Sequence, residues 1–479
     1  MPRKHTLGVA VASAAALAML LAGCSGGGDG AASAGTGAAD RPGQASAPGD
    51  GKSFQPEWPG PALPGLAAKP SWSIPRGAGV GTGPSTELDK VEVVGNAVVV
   101  LQQQSTRQDG GGTYRAAFYD AATGQMRATV DVQGTVAVET WRGRPALVAR
   151  DARTVPASGL SASREARVVT AFDEDGKQIG TTDLTKDDLK YRESVLDGWV
   201  IRSGEGPDGK NHMWARPADA TAPGKLVHTC DRPGDDSCTK PVASSGSASA
   251  FAAQTLFVTD ATDPGGVKQL RAVDPATGQT RWSTASVQAP AGAATVEQIK
   301  GKTPGRRATV VGTVGDKVVL GWYGHADDAT YVGGPIHLGL YDAATGRLLS
   351  GGPAPVTESV DGVSLYTAPG DPTLYLHAHE LGLAWDTKTG AIVWQQAKGE
   401  RAARVFAAVN GALYAGVDVS ASMDKRAQVT ESIVLDARTK AVLAEKGPTR
   451  EAIPQPAANG YATAQTKDRI WVFAPQPLT

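Results

Sequence analysis

One eleven-residue pattern constrains this chain more than any other feature. Residues 272–282 read Ala272-Val-Asp274-Pro-Ala-Thr277-Gly278-Gln-Thr-Arg-Trp282, and residues 384–394 read Ala384-Trp-Asp386-Thr-Lys-Thr389-Gly390-Ala-Ile-Val-Trp394. Both follow A-x-D-x-x-T-G-x-x-x-W. Reduced copies are Asp120-Ala-Ala-Thr123-Gly124, Asp342-Ala-Ala-Thr345-Gly346 and Asp436-Ala-Arg-Thr439-Lys440, and Asp173-Glu-Asp-Gly176 is one residue shorter. The Asp positions 120, 173, 274, 342, 386 and 436 recur about every 50 residues, with one double interval that holds a decayed copy at 214–225.

Each copy has a physical reading. A strand of β-branched and aromatic residues arrives at the Asp, as in Ser432-Ile-Val-Leu-Asp436. Asp bonds its own backbone two residues on, Thr does so more weakly, and Gly accepts positive φ, which together make a tight hairpin turn. A second apolar strand precedes each turn, such as Leu374-Tyr-Leu376 or Ala412-Leu-Tyr-Ala415. Roughly four short antiparallel strands therefore fit each period, and four-stranded units at a fixed period indicate an all-β β-propeller. Gly (59) and Pro (31) together make about 19% of the 479 residues against an ordinary 12%, which argues against long helices.

Seven turns are visible with the decayed one. The final strands, around Tyr461 and Arg469-Ile-Trp-Val-Phe473, lack a turn and an outer strand. Pro70-Ser-Trp72-Ser-Ile-Pro75 resembles Arg281-Trp282-Ser-Thr, so an N-terminal strand at Trp72 is expected to complete the last blade and remove the sheet edge. The expected count is eight blades, with seven as the alternative.

The motif resembles the blade signature of the PQQ-like propellers, which include quinoprotein dehydrogenases and non-enzymatic relatives such as the propeller lipoprotein of the outer-membrane assembly machinery. The resemblance covers about residues 70–475 and is strict in two repeats. It implies that the motif Trp sits on an outer strand and docks on the next blade, a part that falls to Trp282 and Trp394, with Trp72 as the closing equivalent. Ala128, Ser350 and Ala444 stand where further Trp residues are expected. The ten Trp are read as marks of outer strands and of the closing strand.

The N-terminus points to a compartment. A basic start (Arg3, Lys4) precedes an uncharged run from Leu7 to Ala22, the layout of a secretory signal. Leu21-Ala22-Gly23-Cys24 resembles the bacterial lipobox, which implies cleavage after residue 23 and a lipidated Cys24. Of residues 25–54, twenty are Gly, Ala or Ser, too few apolar groups to fold. Residues 24–69 are therefore expected to form a tether, flexible and then Pro-rich, with the propeller at 70–479. Expected localisation is the cell membrane, facing the extracytoplasmic side. The 47 basic and 48 acidic residues exclude a general electrostatic footprint for nucleic acid.

Motifs for chemistry are scarce. In the resembling family, quinone-binding members carry a vicinal Cys pair, calcium-ligating acidic and amide groups and a catalytic Asp. This chain has three separated Cys and no Cys-x-x-Cys-His, so no quinone, metal or catalytic residue is assigned. Cys230 and Cys238 bracket a short loop; in an exported chain they are expected to form a disulfide, with a metal site completed by His228 as the sharper alternative. His377 and His379 would share a strand face but fall where a strand enters a turn. No P-loop, dinucleotide fingerprint or G-x-S-x-G elbow is present. Longer insertions fall at 151–166, 204–212, 231–247, 295–308 and 324–336. The expected role is binding or scaffolding for an envelope protein. The alternatives are a quinone-dependent or other cryptic enzyme using the channel, and an extracytoplasmic sensing partner.

Overall fold

Apolar stretches bounded by turn signals pair in sequence order, each with the next, giving antiparallel meanders of four. The computed structural model describes residues 57–76, 90–106, 112–155, 164–184, 191–220, 224–229, 251–260, 269–293, 308–323, 336–352, 363–378, 381–397, 399–400, 403–418 and 430–478. All belong to one unit, Pro42–Thr479. Apart from one short 3₁₀ turn at Arg450–Ala452, the elements there are strands, in seven sheets.

The first sheet has seven strands, because Met126–Trp141 serves two meanders. Its early half pairs with Gly112–Asp120 and its late half with Arg144–Val155. The second to sixth sheets are four-stranded and occupy 191–229, 251–283, 308–351, 363–395 and 403–444. The seventh joins the chain ends: Gln455–Pro456, Ala462–Gln465 and Arg469–Phe473 are completed by Trp72–Pro75. In that pairing Trp72 faces Val472 and Pro75 faces Arg469.

The core lies between sheets. Among the described residues, seven of eight buried apolar clusters draw on two groups of strands adjacent in chain order, and the eighth joins the last sheet to the first. Val94, Leu101, Phe118 and Leu147 link the two halves of the first sheet. Phe257, Trp282, Leu320 and Tyr341 link the third and fourth sheets, and Leu340, Leu374 and Trp385 link the fourth and fifth. Tyr414, Val434, Trp471 and Phe473 link the sixth and seventh. Trp72, Ile74 and Val472 of the seventh pack with Val91, Val98 and Tyr119 of the first.

Three expectations need correction. The Pro-rich stretch before residue 70 is not all tether: Leu63 and Leu66 are buried, and Trp58 packs edge-on against Trp471 and Phe473. Proline spacing reads as an extended spacer, but the chain turns at Pro64-Gly65, where Leu66 N donates to Leu63 O (3.0 Å), and both leucines are buried against the sheets. Trp does not generally mark outer strands. Trp199 and Trp322 lie on second strands and Trp214, Trp385 and Trp471 on third strands; of these, Trp322, Trp385 and Trp471 fill inter-sheet cores. Two supposed insertions are strand at both ends: Asp151–Val155 pairs with Arg164–Val168, and Gly204–Glu205 pairs with Asn211–His212.

Candidate functional site

The Asp-x-x-Thr-Gly turns place their side chains inward, on their own backbone. In the first turn Asp120 Oδ1 accepts from the N–H groups of Ala122 (2.9 Å) and Thr123 (2.8 Å) and from Thr123 Oγ1 (3.0 Å). Asp274, Asp342, Asp386 and Asp436 accept from the residues that follow them in the same way. Asp173 accepts from Asp175 N and Lys177 N in the shorter turn. Gly124, Gly278, Gly346 and Gly390 close their turns with an N–H donated to the Asp carbonyl, as Gly176 does to Asp173. Lys440 takes the Gly position at φ +64°, and its ammonium reaches Glu400 Oε2 at 2.6 Å.

These bonds set a pH dependence. Burial pushes the Asp120 carboxyl up, but hydrogen bonds from Arg127 and Thr123 outweigh it and hold the group below the ordinary carboxylate value. The same balance lowers Asp274 through Arg281 and Ala276, Asp342 through Thr345, and Asp436 through Thr439. For Asp386 the Thr389 N–H is the largest cause of the lowering. A carboxylate held low in the folded state stabilises fully above its unfolded value of about 4 and loses that contribution as pH falls through the folded value. Melting temperature is therefore expected to drop steeply below about pH 4. In a melting series against pH, Asp120→Asn should lie below the parent at pH 7 and converge on it in acid. Parallel curves would contradict this assignment.

In three repeats the residue after the turn Asp carries the junction between sheets. Ala121, Ala343 and Ala437 donate their N–H to the first hairpin of their own sheet, at Asn96, Asp316 and Gly411. Their carbonyls accept an indole N–H from the outer strand of the preceding sheet. Trp72 Nε1 bonds Ala121 O (2.9 Å), Trp282 Nε1 bonds Ala343 O (2.9 Å) and Trp394 Nε1 bonds Ala437 O (2.7 Å). At other junctions the post-Asp residue is Glu174, Pro275 or Thr387, and no outer-strand Trp faces it. Ala128 and Ser350 fill the corresponding places, against Gly176 and Gly390. Trp with Asp-Ala in the next repeat is thus the sequence signal of this contact. Trp282→Phe, which keeps the ring but orphans the buried Ala343 carbonyl, is expected to cost about 1–3 kcal/mol in a denaturant titration. A loss under about 0.5 kcal/mol would remove the bond from the account.

The two ends of the meanders differ. First-to-second hairpins and Asp-x-x-Thr-Gly turns emerge at one end, here the turn end, where six first hairpins have two residues between their strands, such as 142–143, 197–198 and 410–411. Neighbouring meanders are tied together there. Gly143 N donates to Asp197 Oδ1 (2.7 Å), Asn96 N to Glu174 Oε2 (2.6 Å), Ala458 N to Gly95 O (2.9 Å) and Asn410 Nδ2 to Gly460 O (2.9 Å). Burial raises the Asp197 carboxyl, with the Gly143 N–H opposing it. The remaining connections, apart from 218–224 and including the longest at 76–89, 230–250 and 284–307, join strands at the opposite, loop end.

Polar side chains collect at the loop end of the second and third sheets. The His212 ring, nearly buried, contacts Asp208 Oδ1 through Nε2 (2.7 Å) and Thr229 Oγ1 through Nδ1 (2.9 Å). The His212 bond and the Lys210 N–H hold the Asp208 carboxyl below its ordinary value. Arg271 Nη2 donates to Nδ1 of buried His228, which places the imidazole proton on Nε2 in the neutral ring. The pairing crosses from second to third sheet, so spacing along the chain gave no signal for it. Among the described residues, no group of three or more His, Cys, Asp or Glu is placed to hold a metal, and no helix is long and apolar enough to cross a membrane.

Cys24, Cys230, Cys238 and His379, with the leader and the early tether, lie outside the described residues. His377 lies on the strand Thr373–Ala378 and pairs with Ser364 and Gly382. No family model matches the chain, and no curated protein matches its sequence. Among solved structures it is similar to a computationally designed protein, Ika8, at 16% identity and a TM-score of 0.37, covering 80% of this chain and 94% of that one. It is similar to apo AztD from Citrobacter koseri at 12% identity and a TM-score of 0.34, covering 80% and 100%. The Dos1 propeller is similar at 9% identity and a TM-score of 0.34, covering 81% and 93%.

Proposed function

We propose that this chain is an eight-bladed, closed β-propeller of the PQQ-like kind, lipid-anchored through Cys24 on the extracytoplasmic side, that binds or scaffolds an envelope protein. Eight blades follow if the seven-stranded sheet counts as two blades sharing Met126–Trp141. Closure is supported by the pairing of Trp72–Pro75 with Arg469–Phe473 and by core clusters that continue from the last sheet to the first. Trp72, Trp282 and Trp394 act as docking residues in this reading. The repeat Asp residues hold turns, which leaves them no catalytic part.

The observation that carries a binding role is the contrast between ends. A hydrogen-bonded turn end supports an opposite end that carries the long connections, and long loops on a rigid scaffold are where recognition sites concentrate. The test is photo-crosslinking on intact cells from Glu205 and Lys467 at the loop end, with Asp316 at the turn end as the control. One envelope protein should be recovered from the loop-end positions. Background alone would end the reading. Reconstitution with the quinone and calcium should give neither its absorbance nor dye-linked alcohol oxidation; either signal would favour the enzyme.

A further inference from the structure

We infer that the turn end faces the bilayer and the loop end faces away from it, because the N-terminal segment is strapped across the turn end before it enters the last sheet. This rests on the proposed lipid anchor at Cys24. The strap is built from several contacts. Gly65 O accepts from Asn410 Nδ2 (2.8 Å) and Gln476 N (3.0 Å), and Pro64 O accepts from Tyr414 Oη (2.7 Å). Leu66 bridges to Pro475, and Ala67 N donates to Ala474 O (3.0 Å). Asn410 belongs to the first hairpin of the sixth sheet, and Pro475 follows the third strand of the seventh where it reaches the same end. Leu63 and Leu66, both 5% exposed, and Trp58 on Trp471 and Phe473 make the strap part of the core.

The described chain therefore begins at the turn end, at residue 57. From Cys24 to that point lie little more than thirty residues, mostly Gly, Ala and Ser, with an r.m.s. reach of about 30 Å. Presenting the loop end to the bilayer would require the tether to run back along the body. The strands beside the strap, Ala412–Asp418 and Thr430–Asp436, span about 23 Å at 3.3 Å per residue. That path would take up most of the relaxed reach, whereas the turn end needs no such detour. The surface that carries the long connections is then displayed outward, toward a partner protein rather than toward lipid.

Full-length lipidated protein carrying Cys230→Ser and Cys238→Ser provides the test, reconstituted on phosphatidylethanolamine–phosphatidylglycerol vesicles with a headgroup quencher. Single fluorophores are attached at Asp316→Cys or Arg438→Cys at the turn end, and at Glu205→Cys or Lys467→Cys at the loop end. Turn-end labels should be quenched at least about twofold more than loop-end labels. A double variant, Leu63→Ala with Leu66→Ala, releases the strap, lengthens the tether and should shrink that ratio. Equal or reversed quenching, or a ratio unmoved by releasing the strap, overturns the orientation. Protein that fails to float with the vesicles overturns the anchor itself, and with it the orientation.

Discussion

A chain that begins at residue 77 is expected to lose its cooperative melting transition and to associate on size-exclusion chromatography. Removing residues 57–76 strips the outer strand from the seventh sheet and leaves the Arg469–Phe473 edge unpaired. Exposed edges of that kind template pairing with other chains. It also uncovers Val472, Phe473 and Trp471, which Trp72, Ile74, Leu63, Leu66 and Trp58 now help to cover. The indole bond from Trp72 to Ala121 disappears, and with it the junction from the seventh sheet to the first. Trp72→Ala alone should cost about 3–5 kcal/mol, the range for a buried Trp, against a total stability of about 5–15 kcal/mol. Losing the whole segment should therefore remove most of the stability. A truncated chain that melts cooperatively within a few degrees of the parent would show that the N-terminal strand is an accessory.

How much of this was legible depended on whether a residue's chemistry is local. Asp120, Thr123 and Gly124 announce their turn because each supplies something its immediate neighbours need: an acceptor, a second acceptor, a tolerated positive φ. Trp72 was legible by its likeness to Trp282, and the two make the same bond at distant places in the chain. The alanines that receive those bonds passed unnoticed, although Asp-Ala in the following repeat separates docked junctions from undocked ones. Packing of Leu63 and Leu66 was hidden by the prolines around them. The His228–Arg271 and Asp197–Gly143 contacts join separate sheets, so nothing within a local window could report them.

Gly134→Ala is the single substitution expected to do most damage. The residue lies inside Met126–Trp141, opposite Gly112, where the strand passes from one meander to the next. Its φ is +91°, a conformation that costs an ordinary residue about 1–2 kcal/mol. An added methyl would also overlap the Arg150 carbonyl oxygen and lie 2.7 Å from Asp151 Cα. That backbone cannot withdraw freely, because Arg150 pairs with Thr135 on one side and Val169 on the other. Its guanidinium is further held by Glu139 through two bonds of 2.5 and 2.6 Å. Gly143 provides the comparison: its φ is +75°, but nothing lies within 4 Å of an added methyl. Gly143→Ala should thus show the conformational cost alone, about 1–2 kcal/mol, and Gly134→Ala that cost plus the backbone clash, about 4 kcal/mol or more. Denaturant titrations of both variants measure the difference. Equal losses would mean that the strand shifts to absorb the methyl, and that the two meanders are less rigidly joined than the shared strand implies.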